Sequence, residues 1–129
     1  MIRNTVIWLV LAGLAGCAAQ DPALVGRWQG ERSPTAECPY FAWTSLMTPD
    51  GRFGTVFFGD PARTLKIHKR GGYWITRKNH VLFDAIGAKK YNVYSYKVID
   101  VDTVQYTTIT PNEVPGCRLQ VYTEHRVRD

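Results

Sequence analysis

From Leu24 onward the chain shows a two-residue alternation of apolar and polar side chains, and no stretch sustains a helical period. Successive side chains of a strand point to opposite faces, so such alternation marks half-buried strands. Turn residues punctuate it. Leu24–Glu31 places Trp28 between polar Arg27 and Gln29, and the aromatic-rich run Tyr40–Met47 ends at Thr48-Pro49-Asp50-Gly51. Proline at a turn's second position followed by Asp-Gly is a strong reversal signal, and Arg52–Phe58 resumes the strand pattern after it. Gly59-Asp60-Pro61 breaks that strand, Thr64–His68 alternates, and Gly71-Gly72 is expected to turn the chain into Tyr73–Thr76. Lys78-Asn79 reads as a tight connection to His80–Asp84, and Asp100-Val101-Asp102 reverses Tyr91–Ile99 into Thr103–Ile109. A loop from Pro111 to Gly116 leads to a last strand, with Cys117, Leu119, Val121 and Val127 on one face. Arg118, Gln120, Glu124, Arg126 and Arg128 take the other. About eight short strands at regular spacing predict an all-β fold. Short successive links favour neighbour pairing, and closing the sheet removes its edges, so the expectation is a single antiparallel up-and-down barrel.

The first residues read differently. Met1-Ile2-Arg3-Asn4 carries one base and no acid, and the apolar run behind it, Thr5–Leu14, is about ten residues, half the roughly 20 that a membrane-spanning helix needs. A charged start, a short apolar centre and small residues after it make a secretory signal. Leu14-Ala15-Gly16-Cys17 resembles the lipobox of bacterial lipoproteins. The resemblance implies cleavage before Cys17 and acylation of its sulfur and amine, with palmitate among the chains. Ala18 after the cysteine looks like an outer-membrane address, so the expected location is the cell envelope, lipid-anchored at the outer membrane and facing the periplasm. The implied layout is signal peptide 1–16, lipidated tether 17–23 and barrel domain 24–129.

Removing residues 1–16 takes away one base, Arg3, from a formal net charge of +5, leaving +4 on 113 residues, enough for one compact domain. A basic surface suits anionic neighbours, and an exported protein would seldom meet nucleic acid, so none is expected as a partner. With Cys17 acylated, Cys38 and Cys117 remain; two thiols in an oxidising compartment are most simply a disulfide.

Further in, LVGRWQGE (24–31), MTPDGRFGTVFF (47–58) and GGYWITRKNHVLF (71–83) are similar to small bacterial lipocalin-like lipoproteins. Those open with Gly-x-Trp, follow with a Pro-Asp-Gly-x-Phe hairpin and carry a later Gly-x-Trp strand. The resemblance implies a lipocalin-like barrel in which Trp28 packs across one end beside a late arginine, with Arg118, Arg126 and Arg128 as candidates. An eight-stranded barrel is either filled by its own side chains or holds one small ligand.

Candidate site residues follow from two groupings. Trp28, Trp43 and Trp74, with Phe41, Phe53, Phe57 and Tyr94, could line an apolar pocket or simply fill a core. Arg63 to His80 holds six bases, two histidines and no acid, and alternation places Lys66 and His68 on one face. A hairpin carrying Lys66, Lys69 and Arg70 could hold an anionic headgroup, or be a solvated outer face. His68, His80 and His125 lack metal-site spacing, no cofactor is implied, and no nucleophile motif or paired carboxylates point to an enzyme. Asp84 and Glu124 are noted as acids beside ring side chains. Beside a purely structural lipoprotein with no discrete ligand, two functions stand open. One is binding a small hydrophobic or anionic amphipathic ligand at the barrel mouth. The other is an envelope protein–protein module, an assembly accessory or hydrolase inhibitor, with a solid barrel. A pocket above roughly 300 Å³ separates the first from the second.

Overall fold

The computed structural model describes residues 19–34, 38–110 and 121–128. Eight strands follow a short 3-10 turn at Pro22–Leu24: β1 Gly26–Arg32, β2 Phe41–Met47, β3 Arg52–Phe58, β4 Lys66–Arg77, β5 His80–Ala85, β6 Asn92–Asp100, β7 Thr103–Thr108 and β8 Val121–Arg126. Each pairs antiparallel with its neighbour, and β8 returns to β1 through Trp28↔Arg126 and Gln29↔His125, closing the barrel in the order β1 to β8. The all-β, up-and-down, lipocalin-like architecture expected of the sequence is the one adopted.

Turn chemistry sets the register. Gly51 has φ +88°, the left-handed conformation that the Pro49-Asp50-Gly51 reversal requires. Lys78 and Asn79 both have positive φ, the geometry of the tight turn between β4 and β5. Asp102 N–H donates to the Asp100 carboxylate at 2.9 Å across the β6–β7 turn.

Gly71-Gly72 departs from expectation. β4 runs unbroken through it, so Arg63–His80 is one long strand with its flanks rather than a hairpin. A Cβ on Gly72 would lie 2.0 Å from the Asp84 carbonyl oxygen, so the glycine serves close approach of β5 rather than a turn. The register slips between Phe57 and Phe58, which pair with His68 and Lys66. Phe57 and Phe58 sit on opposite faces of β3, so Lys66 and His68 do not share a face as alternation implied.

Residues 19–23, expected as tether, are docked. Ala19 bridges Thr76, Asp21 N–H donates to Thr76 Oγ1 at 3.0 Å, and Tyr96 Oη donates to Asp21 at 2.7 Å. Short polar residues here satisfy barrel-end donors and acceptors that would otherwise be buried unpaired.

The core lies toward this end. Leu24, Trp28, Met47, Trp74, Val81, Val104 and Tyr106 are almost wholly buried. Trp28 Nε1 donates to the Leu24 carbonyl at 2.9 Å, and the Arg126 guanidinium lies 4.3 Å from the centre of its ring. Arg126 also donates to the carbonyls of Val25, Ala23 and Val101. Of the three late arginines, Arg126 covers Trp28; Arg128 instead pairs with Asp102 at 2.5 Å, and Arg118 lies outside the described residues. This stack plugs one end of the barrel.

Candidate functional site

The opposite end is formed where β1, β3, β5 and β7 finish and β2, β4, β6 and β8 begin. A cavity of about 170 Å³ reaches from there into the interior. Its rim is set by Phe41, Phe57, Arg70, Asn92, Thr108 and Thr110. Deeper walls come from Trp43, Ser45, Met47, Phe53, Thr55 and Phe83. Tyr94, Tyr122 and Glu124 complete it on the β6 and β8 side.

Alternation explains this lining. Trp43, Ser45 and Met47 are every second residue of β2, as are Phe53, Thr55 and Phe57 of β3, so both strands turn one face inward. Across that face Ser45 and Thr55 share a hydroxyl hydrogen bond of 2.8 Å. Gly30 of β1 pairs with Trp43, and a Cβ there would stand 2.3 Å from the indole, so the missing side chain is the space that Trp43 fills.

β8 is the strand whose orientation the sequence conceals. Glu124 is 5 % exposed whereas Val121 is 52 % exposed. The face bearing Tyr122, Glu124 and Arg126 is therefore the inner one, although it is the more polar. The Glu124 carboxylate is accommodated because Trp43 Nε1 donates to its Oε2 at 2.9 Å, a contact between residues 81 apart in sequence. Burial pushes its pKa up to about 7, and the indole donor holds it from rising further. Among the described residues no arginine, lysine or histidine forms an ion pair with it.

Around this carboxyl the rings interlock edge to face. Trp43 and Tyr122 are 5.3 Å apart, Tyr94 and Tyr122 5.9 Å, and Phe83 and Tyr94 5.8 Å. Such pairs add about 0.5–1.5 kcal/mol each beyond burial. The Tyr122 and Tyr106 hydroxyls are pushed well up by burial, with Glu124 adding to it.

The residues singled out from sequence therefore separate. Trp43 and Arg70 line the cavity. Trp28 and Trp74 belong to the plug end, Trp74 donating to the Thr48 carbonyl at 3.1 Å, and they do not reach the cavity. Lys66 and Lys69 are exposed and also stand off it. Arg70 sits at the rim, 5.8 Å from the Phe57 ring centre, with His68 stacked on the same ring. Sequence reasoning noted Glu124 but gave it no place in the site. Its only signal was an acid in step with Tyr122, and nothing local says which face of β8 is inner.

Cys38 is buried and disulfide-bonded, while Cys17 and Cys117 lie outside the described residues, as do the signal segment and lipobox. No three His, Cys, Asp or Glu side chains gather as a metal site among the described residues. Compared with protein-family models, with curated proteins and with solved structures, the chain matches none.

Proposed function

We propose that the protein is a lipid-anchored, non-enzymatic binding lipoprotein of the cell envelope that holds one small ligand in the cup between Trp43 and Glu124. The observation that carries this reading is the cup itself, whose aromatic walls are interleaved with converging hydroxyl, amide, guanidinium and carboxyl groups. Its about 170 Å³ falls below the roughly 300 Å³ that separates the two readings, which counts for the solid barrel against a drug-sized or lipid ligand and leaves only a smaller one. That size leaves no room for a fatty-acid chain. It compares instead with the engineered cavities of about 150 Å³ that take up benzene.

The anchor is proposed at Cys17, and the docking of Ala19 on Thr76 then orients the barrel. Two residues of chain span at most about 7 Å, so acyl groups on Cys17 would sit beside the plugged end. The cup would open away from that membrane, with Arg70 at its rim. This argues against Lys66, Lys69 and Arg70 gripping headgroups of the anchoring bilayer. Cys117 is the proposed partner of Cys38, tying the β1–β2 and β7–β8 connections together at the mouth.

A second reading, a protein–protein module, draws support from the modest cavity and from Leu65, Ile67, Ile86 and Tyr91, all more than half exposed toward the open end. Native mass spectrometry of periplasmically expressed protein lacking residues 1–17 tests the choice. A co-purifying small molecule that disappears in Ser45→Trp, which fills the cup, supports the ligand reading. A bare protein mass in both, with capture of an envelope protein, supports the second. Radiolabelled palmitate incorporated by the full chain but not by Cys17→Ser tests the anchor.

A further inference from the structure

We propose that the ligand of the cup is a small amine, its ammonium seated on the Glu124 carboxylate and its single ring or short chain packed among Trp43, Tyr94 and Tyr122. This rests on the reading of the barrel as a ligand-binding cup.

Among the described residues, Glu124 is the only acid lining the cavity. A buried carboxyl costs several kcal/mol unless its oxygens are satisfied, and replacing it with an apolar residue would ordinarily give a better core. Among the described residues its donor is Trp43 Nε1, on Oε2. A carboxylate offers about four acceptor sites, so capacity remains on the cavity side. An ammonium supplies three donors and a compensating charge. The rings around it suit the same head, because the negative faces of Trp and Tyr attract a cation and do so more strongly away from water. An anion would face the opposite conditions at this depth. Arg70, the one base on the lining among the described residues, is exposed at the rim, where solvent screens it.

Size restricts the rest of the ligand. About 170 Å³ admits one six-membered ring with a short arm, or an alkyl amine of similar bulk. Ser45 and Thr55, whose hydroxyls are bonded to each other, make a polar stretch of wall beside a ring substituent.

Protonation gives the binding a direction with pH. The groups beside Glu124 are Trp43 from β2, Tyr94 from β6, Tyr106 from β7 and Tyr122 from β8, while Arg70 of β4 lines the same cavity at its rim. The three tyrosines are all raised above their ordinary value by burial. Between pH 6 and pH 8 the carboxyl is therefore the group that changes charge, with its pKa near 7.

Three probes of one shape test the proposal by calorimetry on protein lacking residues 1–17, which retains every described element: phenethylamine, 2-phenylethanol and phenylacetate. At pH 8 phenethylamine is expected to bind roughly tenfold or more tightly than 2-phenylethanol, with phenylacetate weakest. That preference shrinks at pH 6 and vanishes in Glu124→Gln, which still binds 2-phenylethanol. A His68→Gln control keeps the pH profile. Equal or better binding of the alcohol or the acid by the unmodified protein, or an amine preference that survives Glu124→Gln, overturns the amine assignment and leaves the cup reading intact. Failure of all three probes to bind defeats both. If Glu124→Gln does not fold, the probe series and its pH dependence on the unmodified protein decide alone.

Discussion

The Arg126 guanidinium stacks over the Trp28 indole at 4.3 Å while Trp28 Nε1 holds the carbonyl of Leu24. The two residues are also one of the two register pairs that close β1 onto β8. One arginine thus seals the barrel seam and satisfies carbonyls of Ala23, Val25 and Val101. Arg126→Met removes the charge-assisted bonds and strands those acceptors. A loss of about 2–4 kcal/mol in urea unfolding is expected, and Arg126→Lys recovers little because it lacks the planar fork.

Two glycines give a paired prediction. Gly30→Ala puts a methyl 2.3 Å from the Trp43 indole, which must shift and loosen its bond to Glu124. Destabilisation of about 1–3 kcal/mol is expected. Gly54→Ala has nothing within 4 Å, so urea unfolding should find it within about 0.5 kcal/mol of the parent.

Glu124 makes stability depend on pH. Its folded pKa of about 7 lies above the ordinary 4.5, so the folded state binds the extra proton between those values. The contribution is whole below pH 4.5, falls as pH rises through 7 and is level above, amounting to about 3 kcal/mol at most. Glu124→Gln should flatten this part of the profile and be the more stable form at pH 8. A parallel profile in both proteins would show that the carboxyl titrates unperturbed.

Cys38 in its buried disulfide predicts no reactive thiol in denatured protein lacking residues 1–17. Two reactive thiols per chain would contradict pairing with Cys117. Loss of the bridge should cost about 2–5 kcal/mol.

The strands were legible because their period and turn residues are local properties: Pro49-Asp50-Gly51 and Lys78-Asn79 turn where the sequence places turns. Gly71-Gly72 misled because glycine marks a close backbone approach as readily as a reversal, and the neighbour it accommodates, Asp84, is set by pairing. The cup was half legible. Trp43 announces itself as a large ring on an alternating strand. Glu124 does not, since its inward placement depends on an indole donor arriving from β2. Arg126 could not be told from Arg118 or Arg128 until the β1–β8 register was known.

The proposed ligand site is the space beside Trp43 and Glu124. The ¹⁵N–¹H spectrum tests it through the indole resonances of Trp28, Trp43 and Trp74 while 2-phenylethanol is added. The Trp43 indole is expected to move in a saturable way, while Trp28, sealed beneath Arg126, stays in place. Three unmoved indoles at saturating probe, in a folded protein, would contradict it.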